Sequence, residues 1–305
     1  KSNMISISRD MITNINKIDS YTKFTILTRD IQRGNESYSN LPNVNIIQGS
    51  MLNISDIKTA CSNADVGIFT APTHSTLNRL EISKIVLNGF EQAGVSYFVY
   101  APGSLNVQNS FHNSKELYKY LREQIFYYRF KDYAVISTGG WMELYFPQST
   151  LSLLKSLPIF FGINLPHSHQ YSSMKDIGPV TALVLYRVIF PGQYHISTHK
   201  REFEIYDSQT YSSLQITQLL SKICQKQIFN FGQYFPHLLS NFLPFFQFIK
   251  NDRLIYLSEL FTHYLTKPYI ATPTNGYYDT ITVLGYTPTT VRQYFEHHLL
   301  GYKIK

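Results

Sequence analysis

The chain has 305 residues, which is enough for one large domain or two with a substantial buried core. Hydrophobic residues make up 44% of it, a share that excludes an intrinsically disordered protein. The formal net charge is +7, but the basic residues are scattered along the chain. Because no basic stripe forms, direct binding to nucleic acid is not predicted.

Cysteine and histidine usage gives no sign of a metal or of a disulfide framework. The two cysteines, Cys61 and Cys224, lie far apart without a CxxC or His/Cys ligand spacing, which is typical of a reducing compartment. We therefore expect the cytoplasm, with the nucleus as the alternative. His297 and His298 form no metal-binding pattern, and no metal is assigned. The apolar run at 228–249 contains Pro236 and Pro244, which favours core or groove-lining helices over a membrane span.

The segment FTILTRD, at 24–30, is the stretch around which the chain is organised. Apolar and β-branched residues run directly into a polar turn, a pattern that predicts a strand buried on both faces of a parallel sheet. Ligands of open α/β sheets bind at the carboxyl ends of the strands. A guanidinium in this turn is therefore placed to meet a phosphate.

Strands and helices alternate through the first half of the chain. A first helix is predicted from Met4, Met11 and Ile15, which recur at helical spacing. Strands are predicted at 24–27, 44–47, 64–69, 95–100 and 133–136, and helices at 54–60, 77–92 and 113–126. This alternation predicts βαβ units with right-handed crossovers, and so an α/β fold with a parallel sheet.

Beyond Phe146 the pattern is looser and more helical. Strands are predicted at 158–163 and 203–206, and helices at 176–188, 212–224 and within 235–266. Asp176 is expected to cap the helix at 176–188. Thr287 or Thr289 is expected to precede a last helix that contains Val291. This half is predicted to form a smaller, mostly helical lobe over the carboxyl edge of the sheet.

The order of these pieces resembles the NmrA-like family, an atypical branch of the short-chain dehydrogenase/reductase superfamily. The matching segments are FTILTRD, NVNIIQGSM, DVGIFTAPT, AGVSYFVYAPGS, FHNSKELYKYLREQ, YAVISTGGWMELYF, DIGPVTALVL, SLQITQLLS and LGYTPTTVRQYFEHH. The resemblance implies a Rossmann-like, doubly wound parallel sheet. It implies an NAD(P)-binding domain at 1–146 and a substrate or partner lobe at 147–305, with 158–190 contributing to the Rossmann core.

The chain departs most from this family at its beginning. Such proteins open with a strand and a GxxGxxG turn that holds the pyrophosphate, whereas the first glycine here is Gly34. The resemblance therefore implies a fragment that begins after the glycine loop. It also implies a sheet without its first strand, with a gap between the neighbours of that strand.

The resemblance assigns a set of dinucleotide contacts. Arg29, with help from Arg33, would accommodate the 2′-phosphate of NADP, which predicts NADPH in preference to NADH. The alternative is a solvated Arg29 that pairs with Asp30. Ser50 and Met51 match positions that flank the adenine, although the family commonly has an acidic residue in place of Ser50.

The remaining predicted contacts lie on the nicotinamide side. Thr70, Ala71 and Pro72 match a turn next to the ribose and nicotinamide, and otherwise indicate an ordinary strand-to-loop turn. A loop that would close over the nicotinamide matches Trp141, Met142, Glu143 and Leu144. It follows two glycines, so we expect it to be mobile.

Lys115 would reach the nicotinamide ribose and, in an enzyme, deliver a proton. The alternative is an exposed lysine that pairs with Glu116. Ordinary short-chain dehydrogenases place a catalytic Tyr four residues before this lysine, but Phe111 stands there and cannot donate a proton.

Three hypotheses of function remain open. The first is an NADP(H)-binding redox sensor or regulatory module that signals to a protein partner. The second is an NADPH-dependent reductase of a quinone or another small hydrophobic carbonyl or conjugated substrate. A third is a chain that binds nothing. No membrane partner is predicted for any of them.

Overall fold

A computed structural model describes residues 7–70, 79–101, 130–160, 168–189, 202–230 and 275–302. Its first half alternates helices and strands, as predicted. The elements are α1 (Ile7–Ile18), β1 (Phe24–Thr28), α2 (Ile31–Tyr38), β2 (Val44–Gln48), α3 (Ile54–Cys61), β3 (Val66–Thr70), α4 (Arg79–Gln92), β4 (Tyr97–Ala101) and β5 (Asp132–Thr138).

The second half contains shorter elements. They are β6 (Gly140–Trp141), α5 (Met142–Tyr145), α6 (Gln148–Leu153), β7 (Ile159–Phe160), β8 (Tyr171–Ser172), a 3-10 turn (Met174–Asp176), α7 (Ile177–Val184), a π-helical turn (Leu185–Ile189), β9 (Glu202–Ile205), α8 (Ser213–Cys224), β10 (Phe229–Asn230), α9 (Asn275–Thr282) and α10 (Val291–Leu300). The helices predicted at 113–126 and 235–266 lie outside the described residues.

The described strands form parallel sheets. A four-stranded sheet has the order β3-β4-β5-β9, and β1 pairs separately with β2. Two short parallel pairs, β6 with β8 and β7 with β10, lie outside these sheets. The α/β class and the parallel arrangement of the first strand are therefore confirmed.

Two apolar clusters cover opposite faces of the four-stranded sheet. The α1-side cluster joins α1 and α7 to one face through Met11, Ile136 and Val180. The α4-side cluster joins α3 and α4 to the other face through Ile57 and Phe98. Since the strands of the four-stranded sheet are covered on both sides, β4 and β5 carry continuous apolar runs rather than alternating ones.

The prediction that β1 is buried on both faces is wrong. Thr25 is exposed, and the other four residues of this strand are only half-buried. The physical reason is that, among the described strands, β1 pairs only with β2, whereas each inner strand of the four-stranded sheet has two neighbours. The strand was recognised correctly, but its burial depends on partners that its own sequence does not reveal.

One helix of the first half was not predicted. The sequence of α2, IQRGNESY, has too few apolar residues for a helical period to stand out. The helix is started instead by Asp30, whose carboxylate accepts a hydrogen bond from the Arg33 N–H at 2.9 Å. A local capping interaction therefore determines this element.

Two buried aspartates hold the start of α10. Asp176 accepts hydrogen bonds from the Thr289 N–H at 2.8 Å and the Tyr286 hydroxyl at 2.8 Å. Asp207 accepts one from the Val291 N–H at 2.8 Å. Asp176 was expected to cap its own helix, but its side chain makes no capping bond there because it is committed to this distant segment.

Burial raises the pKa of both aspartates, and the hydrogen bonds that they accept oppose this effect. Thr290, rather than Thr287 or Thr289, caps α10 through a reciprocal pair of bonds with Gln293. The last helix is thus attached to the body of the protein by polar contacts as well as by packing.

Candidate functional site

Arg29 directly follows β1 and is exposed to solvent. Its backbone carbonyl accepts a hydrogen bond from the Gln48 side chain at 3.5 Å, which ties the turn to the end of β2. Asp30, the neighbour that could have neutralised it, uses its carboxylate to cap α2. Within the described part of the chain, the Arg29 guanidinium has no ion pair and faces water.

The turn after β2 places Ser50 and Met51 beside the turn formed by Arg29 and Asp30, here called the arginine turn. The Ser50 N–H donates to the Asp56 carboxylate at 2.8 Å, so an acidic side chain of α3 lies next to this turn although position 50 itself is not acidic. Met51 is half-buried and packs against the α4-side cluster. The ends of β1 and β2 therefore form one polar rim.

Four of the predicted contacts fall at or beyond the limits of the described residues. Thr70 ends β3 and is half-buried. Ala71, Pro72 and Lys115, together with Phe111, lie outside the described ranges. Their assignment as ribose, nicotinamide or proton-transfer residues stays a prediction.

A glycine turn at the end of β5 approaches a neighbouring backbone very closely. The Gly139 N–H donates to the Ser172 hydroxyl at 2.6 Å, and that hydroxyl donates to the Ile205 carbonyl. A Cβ atom at Gly139 would lie 2.7 Å from the Gln170 carbonyl oxygen. Only glycine therefore fits this position, and the turn is fixed on both sides.

Trp141 is held in this region by backbone pairing. It pairs with Ser172 in the β6–β8 ladder, and its half-buried ring packs against the α1-side cluster. The indole therefore connects the sheet edge to the segment that leads into α7.

Glu143 and Met142 are committed to interior contacts. The Glu143 carboxylate accepts hydrogen bonds from the Ser173 hydroxyl at 2.7 Å and from the Met174 N–H at 3.1 Å. Burial raises the pKa of this carboxyl, and the two donors partly offset that rise. Met142 is fully buried in an apolar cluster that also contains Tyr171 and Phe295, and the backbone of Leu144 belongs to α5.

Several polar residues at this edge were not predicted from the sequence. Thr138 and Gln170 are buried, and among the described residues the Thr138 hydroxyl and both amide atoms of Gln170 find no hydrogen-bond partner. Ser172, described above, is the third. The only signal that could have indicated Thr138 is the run STGG, in which a polar pair ends an apolar strand. Gln170 and Ser172 lie in a segment without hydrophobic periodicity.

The structure thus forms two groups of predicted residues. One contains Arg29, Arg33 and Ser50 at the ends of β1 and β2, and the other contains Trp141 and Glu143 after β5. Among the described residues no hydrogen bond links the two groups. The same residues contain no cluster of three or more His, Cys, Asp or Glu that could bind a metal, and none of their helices is long and apolar enough to cross a membrane.

These strands and helices define a Rossmann-like α/β fold. No protein-family model matches the sequence, and a comparison with curated proteins finds no match. Solved structures do match over nearly the whole chain.

A triphenylmethane reductase of Citrobacter sp. complexed with NADP(H) is 12% identical over 97% of this chain and 97% of that chain, with a TM-score of 0.70. The NADPH-dependent quinone oxidoreductase QOR2 of Escherichia coli, complexed with NADPH, is 13% identical over 96% of both chains, with a TM-score of 0.67. NmrA, a negative transcriptional regulator, is 12% identical over 97% of this chain and 89% of that chain, with a TM-score of 0.57. The resemblance to NmrA-like, atypical short-chain dehydrogenase/reductase proteins is confirmed at the level of the fold.

Proposed function

We propose that this chain is an NADP(H)-binding sensor or regulatory module of the NmrA-like type. The observation that carries the proposal is the exposed guanidinium of Arg29 at the carboxyl end of β1, which forms no ion pair with any other described residue. The Asp30 carboxylate accepts the capping bond from the Arg33 N–H, and the described residues show no ion pair between Asp30 and Arg29. A planar, always charged group in this position suits the 2′-phosphate that distinguishes NADPH from NADH.

Arg33 supports the same preference from the first turn of α2. Helix N-termini attract anions because their free N–H groups carry partial positive charge. A phosphate bound by Arg29 would lie near this helix start, and the backbone N–H of Arg33 is already used by the Asp30 cap. The guanidinium of Arg33 would then be the second cation for the phosphate.

Trp141 provides the measurement, because it is the only tryptophan in the chain. Titration with NADPH and with NADH should change its fluorescence, with half-saturation at a roughly 10-fold lower concentration of NADPH, as expected for one charge-assisted contact. Arg29→Ala should remove this difference. Arg292→Ala is the matched control, since it removes the same charge from an exposed site on α10.

The preference for NADPH would be refuted if the two dinucleotides gave equal half-saturation with the natural residue at position 29. It would also be refuted if Arg29→Ala and Arg292→Ala behaved alike.

The second candidate is an NADPH-dependent reductase of a quinone or another small hydrophobic carbonyl or conjugated substrate. It is favoured by the fold shared with a triphenylmethane reductase and a quinone oxidoreductase. The described aromatic residues that follow β5 do not add to it, because Tyr145, Phe146 and Phe295 pack into a buried core. Their abundance is explained by packing.

Absorbance at the NADPH band in the presence of a quinone panel separates the two candidates. An enzyme should oxidise NADPH steadily, and Lys115→Ala should stop turnover while cofactor binding remains. A flat trace across the panel, together with a normal fluorescence titration, would favour the sensor. In either case we propose a dinucleotide-binding domain at 1–146, with 158–190 contributing to it, and a partner or substrate lobe in the remainder. The proposed location is the cytoplasm or the nucleus.

A further inference from the structure

The side of the protein formed by α6, β7 and β10 exposes apolar side chains next to one another. Leu153 is 43% exposed, Leu157 49% and Phe229 52%. The Leu157 N–H donates to the Leu153 carbonyl at 2.8 Å, so the two leucines lie one helical turn apart on the same face. Single exposed apolar residues are common, whereas a group of neighbouring ones is typical of a binding surface.

Pairing between β7 and β10 brings Phe229 beside the leucines. The Phe229 N–H donates to the carbonyl of Pro158, the residue that follows Leu157, at 2.8 Å. Phe229 is also the register partner of Ile159. Because Phe160 is buried, Ile159 and Phe229 direct their side chains outward together. The residues here called the apolar patch are Leu153, Leu157, Ile159 and Phe229.

The residues that alternate with the patch are anchored in the interior. Leu151, Leu154, Phe160 and Ile228 are buried in an apolar cluster that includes residues of α8 and α10. The patch is therefore the outer side of well-packed elements. Its exposure does not arise from loose packing, and its position relative to the core is fixed.

The segments that carry the patch have a single sign of charge. No Asp or Glu occurs at 144–175 or at 208–230. Lys155 is exposed between the two leucines of the patch, and Lys226 lies three residues before Phe229. The lysines of these two segments are Lys155, Lys175, Lys222 and Lys226.

The neighbouring helix α10 does not offset these charges. The Glu296 carboxylate pairs with Arg292 of the same helix at 2.7 Å. The pKa of His298 is lowered to about 4, first by burial and then by the surrounding cationic side chains, which include Lys175 and Lys155. The electrostatic field beside the patch is therefore positive.

Three other occupants fit this surface less well than a protein segment. A second copy of the chain would bring Lys155 and Lys226 against the same lysines in a two-fold contact. Anionic membranes are bound by clusters of about four to eight basic residues, more than lie beside the patch. Nucleic acid requires a row of cations along its phosphates, and lysines around an apolar centre do not form one.

A packed path connects the patch with Trp141. The helix α5 directly follows Trp141, and α6 begins at Gln148. Met142 of α5 and Leu151 of α6 are fully buried in the same apolar cluster. Because close-packed interiors transmit displacements, a change at Trp141 should reach α6 and the leucines on its outer side.

We propose that the apolar patch and the lysines beside it bind an acidic, amphipathic segment of another protein, in which leucine or phenylalanine alternates with aspartate or glutamate. The proposal rests on the regulatory function given above, for which it supplies the surface that contacts the partner. Burial of the apolar side chains provides most of the affinity. The lysines select acidic segments and exclude basic ones.

Selection of peptides from a random display library on the full chain tests this chemistry. The enriched sequences should combine Asp and Glu with Leu and Phe. A fluorescein-labelled copy of the most enriched peptide should bind with a Kd on the order of 10–100 μM by fluorescence anisotropy. An increase in salt from about 50 to 500 mM should weaken it about 10-fold. Enrichment of basic or uncharged sequences, or of none, would overturn the proposal.

Substitutions locate the binding site of the selected peptide. Phe229→Ser should weaken binding at least about 10-fold, whereas Tyr21→Ser, which removes another exposed aromatic ring, should not. The charge reversal Lys155→Glu with Lys226→Glu should reject the peptide and bind a copy in which its acidic residues are lysines. An unfolded variant could not show this gain. Lys58→Glu, on α3, is the control for charge. A peptide that is indifferent to the reversal would overturn the proposal.

Vesicles of phosphatidylserine and phosphatidylcholine test the membrane as an alternative occupant. The unchanged chain should not sediment with them at about 150 mM salt. Sedimentation that the double charge reversal abolishes would overturn the proposal in favour of a membrane.

The effect of NADPH separates the patch from the sensor function. Peptide binding without dinucleotide tests the patch alone. Saturating NADPH should then change the peptide Kd at least about 5-fold, and the peptide should change the NADPH affinity by the same factor. Peptide binding that NADPH leaves unchanged would refute the sensor function and support the patch as a docking site.

Discussion

The β1–β2 sheet and the four-stranded sheet have similarly apolar strands but different burial. In β4 and β5, Phe98, Val99 and Ile136 are fully buried, whereas no residue of β1 or β2 is. Residues of α1, α3 and α4 share apolar clusters with both sheets, so we attribute the contrast to the number of described strand neighbours. The comparison teaches that strand identity is encoded locally, while burial is a property of the assembled layer.

The comparison also concerns the site. The arginine turn belongs to the less buried sheet, and the glycine turn with Trp141 belongs to the other. A ligand that contacts both turns would therefore connect the less buried β1–β2 sheet to the more buried four-stranded sheet. We expect binding to stabilise the β1–β2 sheet more than the four-stranded sheet, since a ligand stabilises the states that it prefers.

The largest effect is expected from truncating the same residue type in each sheet. Ile136→Ala removes a fully buried side chain from β5 and should lower the free energy of unfolding by about 3–4 kcal/mol, because a cavity remains. Ile26→Ala in the half-buried β1 should cost about 1–2 kcal/mol. Urea unfolding measures both, and equal costs would contradict the contrast between the sheets.

Two helical glycines test how closely the helices pack. A Cβ atom at Gly89 of α4 would lie 2.6 Å from Ile57 Cγ2, so Gly89→Ala should destabilise the protein by about 1–3 kcal/mol.

At Gly34 of α2 the nearest atoms, Ile46 Cγ2 and Thr28 Cγ2, are 3.0 Å away and belong to the less buried sheet. There the gain in helix propensity, about 1 kcal/mol, should offset the contact. Thermal unfolding of the two variants should therefore show a decrease for Gly89→Ala and almost no change for Gly34→Ala. A large loss at Gly34 would mean that the β1–β2 sheet is as rigid as its neighbour.

A pH effect is expected from β9, at the edge of the four-stranded sheet. Burial and the neighbouring Glu204 raise the pKa of Glu202 from 4.5 to about 6. A raised carboxyl pKa means that the folded state holds the proton more tightly, so this stabilisation is full below 4.5 and is lost as the pH rises through about 6. Since Glu202 is only partly buried, we expect a loss of about 1 kcal/mol.

Glu202→Gln should remove this dependence on pH. The measurement is the free energy of unfolding as a function of pH for both proteins. An unchanged slope between the two pKa values in the glutamine variant would show that another group is responsible.

The smallest effect is expected at the cap of α2. Asp30→Ala removes the carboxylate that accepts from the Arg33 N–H, and should cost about 0.5–1 kcal/mol. Hydrogen exchange should rise mainly in α2 and the arginine turn. Ser212→Ala, at the cap of α8 in the lobe, is the matched comparison. No change at Asp30→Ala would mean that α2 does not depend on its cap.

Much of the fold could be predicted from the sequence, because buried parallel strands appear as short apolar runs between segments with the apolar spacing of helices. The strands β1 to β5 and β9 were found in this way. The helix α2 was not, because its determinant is a single capping carboxylate. The role of Asp176 was also missed, since its donors are Tyr286 and Thr289, more than one hundred positions further along the chain.

The site was predictable only in part. Arg29 could be singled out because it follows a strand directly and carries a charge suited to phosphate. Ser172 could not, because its importance lies in the close approach of two backbones at Gly139. Such an approach depends on how β6 and β8 are brought together, which no local pattern records.

The two aspartates that hold the start of α10 set a limit on how far this protein can be shortened. Cleavage ahead of Thr289 would remove, in one step, backbone donors to both Asp176 and Asp207. Two carboxylates would then remain in the interior with fewer partners, and such groups are far more costly than a lost apolar contact. An engineer who trims the molecule or permutes its ends should therefore keep the stretch from Tyr286 to Val291 intact.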